Sequence, residues 1–189
     1  HIGDSLCESI RGCIAGRMEC DPLCSLILLA RISTREVALM RLYRNYIHQI
    51  FPAHTLGSIE RALIRNPLGA RLLVDLFTAR FSPSMGTHSS PARRKKMAAI
   101  EAAFEDLVDK VDDLVEDRIL RQFLHAIEST VRTNYFQTPA RHTIGIKIQS
   151  GLFPGMPKPA PLFEIFVYGT DFEGVHLRGG RISRGGIRH

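Results

Sequence analysis

The chain has 189 residues, of which 44% are hydrophobic and 23% charged, a size and composition that suit one globular domain, or one domain with part of another. Its longest apolar run, residues 26–30, falls far short of the ~20 residues that a membrane-spanning helix needs, so no membrane partner is expected. The formal charge of +6 invites a nucleic-acid partner, but the 25 Lys and Arg are spread along the chain and mostly interleaved with the 19 Asp and Glu.

The opening residues lack the basic-then-apolar layout of a signal peptide, and His1 is not a natural start. The expectation is a piece of a longer cytoplasmic protein. All four cysteines fall early, at Cys7, Cys13, Cys20 and Cys24. Cys20 and Cys24 have the interval of zinc ligands; Cys7 and Cys13 do not, because six residues along a helix turn them to different faces. Free cysteines packed as small hydrophobes are expected, with no metal. Elemental analysis of chelator-free protein is predicted to find no stoichiometric zinc, and one zinc per chain would overturn that expectation.

Helical periodicity runs to about Phe136. Ser33-x-x-Glu36 has the form of a capping box, in which hydroxyl and carboxylate satisfy open amides at a helix start. Leu39, Leu42, Tyr43, Tyr46, Ile47 and Ile50 follow as one apolar stripe, with Arg41, Arg44, Asn45, His48 and Gln49 on the other face and Pro52 as terminator. A second helix is expected over 58–66, halted before Pro67. A third over 68–81 should bury Leu72, Leu73, Leu76 and Phe77. Residues 82–90, "SPSMGTHSS", read as a mobile loop. The basic run Arg93, Arg94, Lys95, Lys96 reads as solvated surface. Met97, Ile100, Phe104, Leu107, Val108 and Val111 mark the next amphipathic helix. After Asp112-Asp113, Leu120, Phe123, Leu124, Ile127 and Val131 mark another. These stripes are core faces of a helical bundle, not cofactor boxes.

Beyond Pro139 the period changes from 3.6 to 2. "TIGIKIQ" puts Ile144, Ile146 and Ile148 on one face of a strand, and the proline-rich 151–161 segment connects it to "LFEIFVYG". The latter is apolar on both faces except at Glu164, which predicts an interior strand. "GVHLR" and "RISR" are expected to form a hairpin across Gly179-Gly180. The fold class is therefore α+β, a helical bundle over residues 1–138 followed by a small β-rich segment over 139–189.

The end of the chain, "HLRGGRISRGGIRH", holds two Arg-Gly-Gly triplets. A basic helical nucleic-acid-binding module with an RGG-type tail would need a disordered, repetitive segment, which the strand-like residues before it match poorly. A phosphate loop would need G-x-x-x-x-G-K-[ST] or G-x-G-x-x-G opening a helix, and neither is present. The third reading takes Arg184-Gly185-Gly186 as a site, where a cation beside two residues without side chains lets an anion approach the backbone, with Arg188 adding a second charge. From the residues alone, this reading and a plain surface turn stay level.

"FEIFVYGTDFEGVHLRGGRISRGGIRH" resembles the entry to the catalytic domain of the large bacterial NAD-specific glutamate dehydrogenases. "STREVALMRLYRNYIHQ", "ARLLVDLFTARF" and "EDRILRQFLHAIESTVRTNYFQ" resemble the helical region that precedes it, so the similarity spans nearly all of the chain. The tail is also similar to the Lys-Gly-Gly-[Ile/Leu]-Arg motif of the smaller glutamate dehydrogenases, whose lysine binds substrate. That lysine falls on Arg184, the glycines on Gly185 and Gly186, and the final arginine on Arg188. The resemblance implies a substrate-binding role for those four and a parent enzyme that oxidises L-glutamate to 2-oxoglutarate and ammonia. It further implies that NAD and the catalytic residues belong to downstream parts of the parent, that the parent is a cytoplasmic homo-oligomer, and that this piece alone is inactive.

Overall fold

The computed structural model describes residues 2–86, 90–140, 143–180 and 186–188, with Ile2 and the last three in backbone alone. Among them are seven α-helices: α1 (Ile2–Ile14), α2 (Leu26–Leu29), α3 (Thr34–Ile50), α4 (Leu56–Arg65), α5 (Pro67–Phe81), α6 (Pro91–Val108) and α7 (Leu114–Ser129). Five strands follow: β1 (Thr130–Thr133), β2 (Ile144–Gln149), β3 (Phe163–Gly169), β4 (Phe172–Arg178) and β5 (Gly186–Arg188). The α+β class read from the sequence is the class observed. The chain divides into two compact units, His1–Phe123 and Leu124–His189.

In the first unit, α3 is the central element. Its start is the expected capping box: Ser33 N–H donates to Glu36 Oε2 at 2.7 Å, and Glu36 N–H donates back to Ser33 Oγ at 3.3 Å. Every member of the stripe from Leu39 to Ile50 is buried, and the Tyr43 ring meets Phe77 of α5 edge-on at 6.1 Å. Pro67 separates α4 from α5, because the residue before a proline is pushed out of helical geometry, here to φ −121 and ψ 61 at Asn66. Phe104 and Val108 anchor α6, whereas Met97, Ile100 and Leu107 are half-buried, as is Leu72 on α5.

Several sequence expectations need correction. The second face of α3, which the sequence marks only as polar, holds buried arginines: Arg41 and Arg44 are 1% and 5% exposed. Carboxylates from the 19–21 segment and from Glu60 of α4 come to meet them. Arg93 likewise departs from its solvated neighbours Arg94, Lys95 and Lys96. It is 2% exposed, and its guanidinium donates to the carbonyls of Arg80, Ser82 and Gly86 at 2.5, 2.7 and 2.7 Å. The Arg80 carbonyl sits in the last turn of α5, where the helix itself provides no donor. The expected loop is thus tied down as far as Gly86, and residues 87–89 lie outside the described residues. None of the four cysteines is buried: Cys7 and Cys20 are exposed and Cys13 and Cys24 half-buried. Val131 does not extend the last helical stripe, because the chain passes from α7 directly into β1, where Val131 is exposed.

In the second unit the sheet runs β1-β2-β3-β4-β5, every neighbouring pair antiparallel. The alternation of β2 is as expected, with Ile144, Ile146 and Ile148 buried between half-buried residues. β3 is interior, flanked by β2 and β4. Its buried face carries Glu164, Phe166 and Tyr168, so the one charged residue of the strand lies on the core side.

A candidate substrate-site edge

The register of the sheet decides which side chains share a surface, because directly opposed residues in antiparallel strands point to the same face. Ile148, Glu164 and Leu177 are opposed in series, as are Ile146, Phe166 and Val175. These rows form the buried face. Glu164 in its middle is fully buried.

The other face is assembled from Arg132 opposite Lys147, Lys147 opposite Ile165, Ile165 opposite His176, and Phe163 opposite Arg178. Among the described register positions this face holds four basic side chains and no acid. Lys147 Nζ stands 4.0 Å over the Phe163 ring, an arrangement in which the ring's negative face attracts the ammonium. His176 and Arg132 are exposed, and Lys147 and Arg178 half-buried. The positive charges of Arg132, Lys147 and Arg178 on this half-exposed face favour an anion over a cation. No single strand marks these residues in the sequence; they share a parity within each strand, which becomes a surface only once the register between strands is known.

Of the predicted site residues, Gly186 and Arg188 lie on the last strand of this sheet. β5 is an edge strand, with Gly186 opposite Leu177, Ile187 opposite His176 and Arg188 opposite Val175. The expected two-residue hairpin at Gly179-Gly180 is corrected, because the observed register sets Gly186 opposite Leu177. A two-residue link after Arg178 would instead bring residue 181 opposite Arg178. The predicted strand 181–184, and with it Arg184 and Gly185, lies outside the described residues. The second Arg-Gly-Gly triplet therefore leads into the edge strand, and Gly186 is that strand's first residue.

Two other polar concentrations lie in the first unit. Asp21 accepts from Arg41 Nε at 2.8 Å, Arg41 Nη2 at 2.7 Å and Arg44 Nη1 at 2.8 Å. Arg44 also bonds Glu60 at 2.5 Å and Glu19 at 3.1 Å. Burial pushes the Asp21 carboxyl up, but the Arg41 hydrogen bonds and the charges of Arg41 and Arg44 outweigh it and hold the group below the usual aspartate range. Each oxygen is already engaged by a guanidinium, so this is an internal ion network. The second is an open groove of about 670 Å³ whose lining includes Arg65, Asn66, Asp106, Lys110 and Glu116. Its lining includes neither Gly186 nor Arg188 of the predicted site. Among the described residues no group of three or more His, Cys, Asp or Glu is arranged to hold a metal ion, and no helix is long and apolar enough to cross a membrane.

Comparison with known proteins gives two family matches, the second of which begins within α6. Residues 18–83 match the family model for glutamate dehydrogenase, helical motif 3, and residues 103–189 match that for the bacterial NAD-glutamate dehydrogenase catalytic domain. The NAD-specific glutamate dehydrogenase of Pseudomonas aeruginosa is 38% identical over 192 residues, covering 100% of this chain and 12% of the relative. Those of Mycobacterium tuberculosis and Halomonas elongata are 37% and 35% identical, each covering 96% of this chain and 11% of the relative. The chain thus spans about a tenth of the length of the curated relatives it matches. With both matches in order along it, and similarity along nearly its whole length, the chain belongs to the family of the NAD-specific glutamate dehydrogenases.

Proposed function

We propose that this chain acts as part of a cytoplasmic, homo-oligomeric enzyme that oxidatively deaminates L-glutamate to 2-oxoglutarate and ammonia, with hydride passing to NAD. Within it, residues 1–138 serve as scaffold and residues 139–189 begin the catalytic domain and supply one edge of the substrate site. The observation that carries this reading is the pair of family matches running in order along the chain, the second ending on the Arg-Gly-Gly-Ile-Arg segment. In the proposed site, Arg184 grips a carboxylate of glutamate through its planar fork. Gly185 and Gly186 leave room for the substrate against the backbone, and Arg188 adds a second positive charge. The position of Gly186 and Arg188 on an edge strand supports an open approach from that side.

The described residues do not fit NAD itself. β1 to β5 are antiparallel, and no described strand leads into an α-helix whose N-terminus could face a pyrophosphate. No step is assigned here to the cofactor; this chain's residues bind and orient the amino-acid substrate.

The test is glutamate-dependent NADH formation by the full-length protein, which should be robust, while the 189-residue chain alone should show none. The same reading predicts that RNA binding by the chain is weak, indifferent to sequence and quickly lost as salt rises, as for any generic basic surface. Submicromolar RNA binding at physiological salt, abolished by truncation after Thr170, would sink the assignment of the tail to a substrate site.

A further inference from the structure

Helix α6 carries its charge against its own dipole. Its first turn holds Arg93 and Arg94 and no acid, Lys95 and Lys96 follow at once, and its last turn holds no base. The N-terminus is the positive end of a helix dipole and disfavours cations. Arg93 is accounted for by the three carbonyls it meets in the core. Arg94, Lys95 and Lys96 are exposed, and among the described residues none of the three is ion-paired. Near the other end Asp106 is likewise exposed and unpaired, whereas Arg121 of α7 engages Glu105 and Asp109.

Between these ends the outward face is alanine. Phe104 and Val108, with Met97, Ile100 and Leu107, form the inward face. Opposite them, at helical spacing, stand Lys95, Ala98, Ala99, Ala102 and Asp106, all exposed. An outward helix face ordinarily carries polar and charged residues along its length. Alanine's helix propensity accounts for the methyl groups, but not for the opposite charges that bracket them.

We infer that α6 is an interaction surface for a second copy of this chain, whose own α6 packs against it antiparallel about a two-fold axis. With the axis midway between Ala99 and Ala102, Ala99 faces Ala102 of the second copy and Lys95 faces its Asp106. Symmetry makes each contact twice. The small side chains let the two axes approach to about 8 Å, the close end of helix packing. Each basic, dipole-positive end then lies beside an acidic, dipole-negative end, which removes the conflict present in one helix alone. A parallel pair would set lysine against lysine and aspartate against aspartate, so the charges select direction as well as partner. The occupant is a second copy because the complement of this surface is the same surface read backwards. A pair of 18-residue helices is smaller than the interfaces that hold permanent dimers, so this is one contact among several. The inference rests on the reading of the parent as a homo-oligomer and names one of its contacts.

The experiment uses the full-length protein carrying both Lys95→Cys and Asp106→Cys, mildly oxidised and run on a non-reducing gel. The two positions lie about 16 Å apart along one helix, so a disulfide between them can only join two chains. The expected product is a covalent dimer of chains in which peptide mapping joins position 95 of one copy to position 106 of the other. Dithiothreitol should dissolve it, and neither single substitution should produce that link. Ala99→Arg, at an exposed position that the fold does not need, should abolish it in the doubly substituted protein. Light scattering on the native full-length protein separates this inference from the reading it rests on. An oligomer whose doubly substituted form stays unlinked, or a link that survives Ala99→Arg, overturns the α6 contact alone. A monomer overturns both.

Discussion

Replacing Asp21 with alanine is expected to destabilise the helical unit by about 3 to 5 kcal/mol, the cost of removing one partner from a buried ion pair. The reason lies in what remains. Arg41 loses both of its nitrogen-to-carboxylate contacts with Asp21, and its side chain is 1% exposed. Arg44 keeps Glu60 and Glu19, so its share of the loss is smaller. Asp21→Asn preserves shape and one acceptor but not charge, and should fall between alanine and the native residue. Thermal unfolding of the full-length protein, followed by calorimetry, measures both. A loss under about 1 kcal/mol for Asp21→Ala would mean that the network contributes no more than a surface ion pair.

The same carboxylate makes stability depend on pH in a definite direction. Its folded-state pKa is lowered, so its contribution is fully present above the unfolded aspartate value of about 3.9. It is lost as pH falls further, through the depressed folded value. Asp21→Asn should therefore flatten the acid limb of the stability curve and leave the neutral region parallel to that of the native protein.

The second large effect is on catalysis in the full-length enzyme. Arg184→Ala should lower kcat/KM for glutamate by roughly ten- to a hundredfold or more, since a hydrogen bond to a charged group contributes about 1.5 to 3 kcal/mol. A guanidinium that grips the substrate carboxylate holds the ground state and the transition state alike. Its loss should raise KM more than it lowers kcat. The KM for NAD should barely move, since the proposed reading gives the cofactor to downstream parts of the parent. Arg184→Lys should recover part of the loss, as lysine is the residue at this position in the motif the tail resembles. Kinetics at saturating NAD decide the matter. Unchanged glutamate kinetics in Arg184→Ala, or a defect in NAD affinity alone, would remove Arg184 from the substrate site.

Features that depend on neighbours along the chain were legible before any fold was known. The Ser33-Glu36 capping box, the α3 stripe and the alternation of Ile144, Ile146 and Ile148 all follow from the periods of helix and strand, which are properties of the backbone itself. The family was legible for a related reason, because its motifs are ordered stretches of consecutive residues. Of the candidate site, Gly186 and Arg188 are found on the edge strand, and Arg184 and Gly185 lie outside the described residues.

What the tertiary structure decided are the partners. A row of arginines on a helix looks the same whether water or a carboxylate meets it, so the burial of Arg41, Arg44 and Arg93 depended on segments 7 to 25 residues away. Glu164 reads as an interruption of an apolar strand, but only the pairing with Ile148 and Leu177 assigns it to the core face. The basic surface of Arg132, Lys147, His176 and Arg178 exists only through strand register, which no single strand encodes. The cysteines make the same point: their spacing turns Cys7 and Cys13 apart, but only the fold brings Cys13 and Cys24 to the same Glu19 carbonyl oxygen. Long-range contacts gain their energy from desolvation and close packing of distant groups, and that information is distributed over the whole chain.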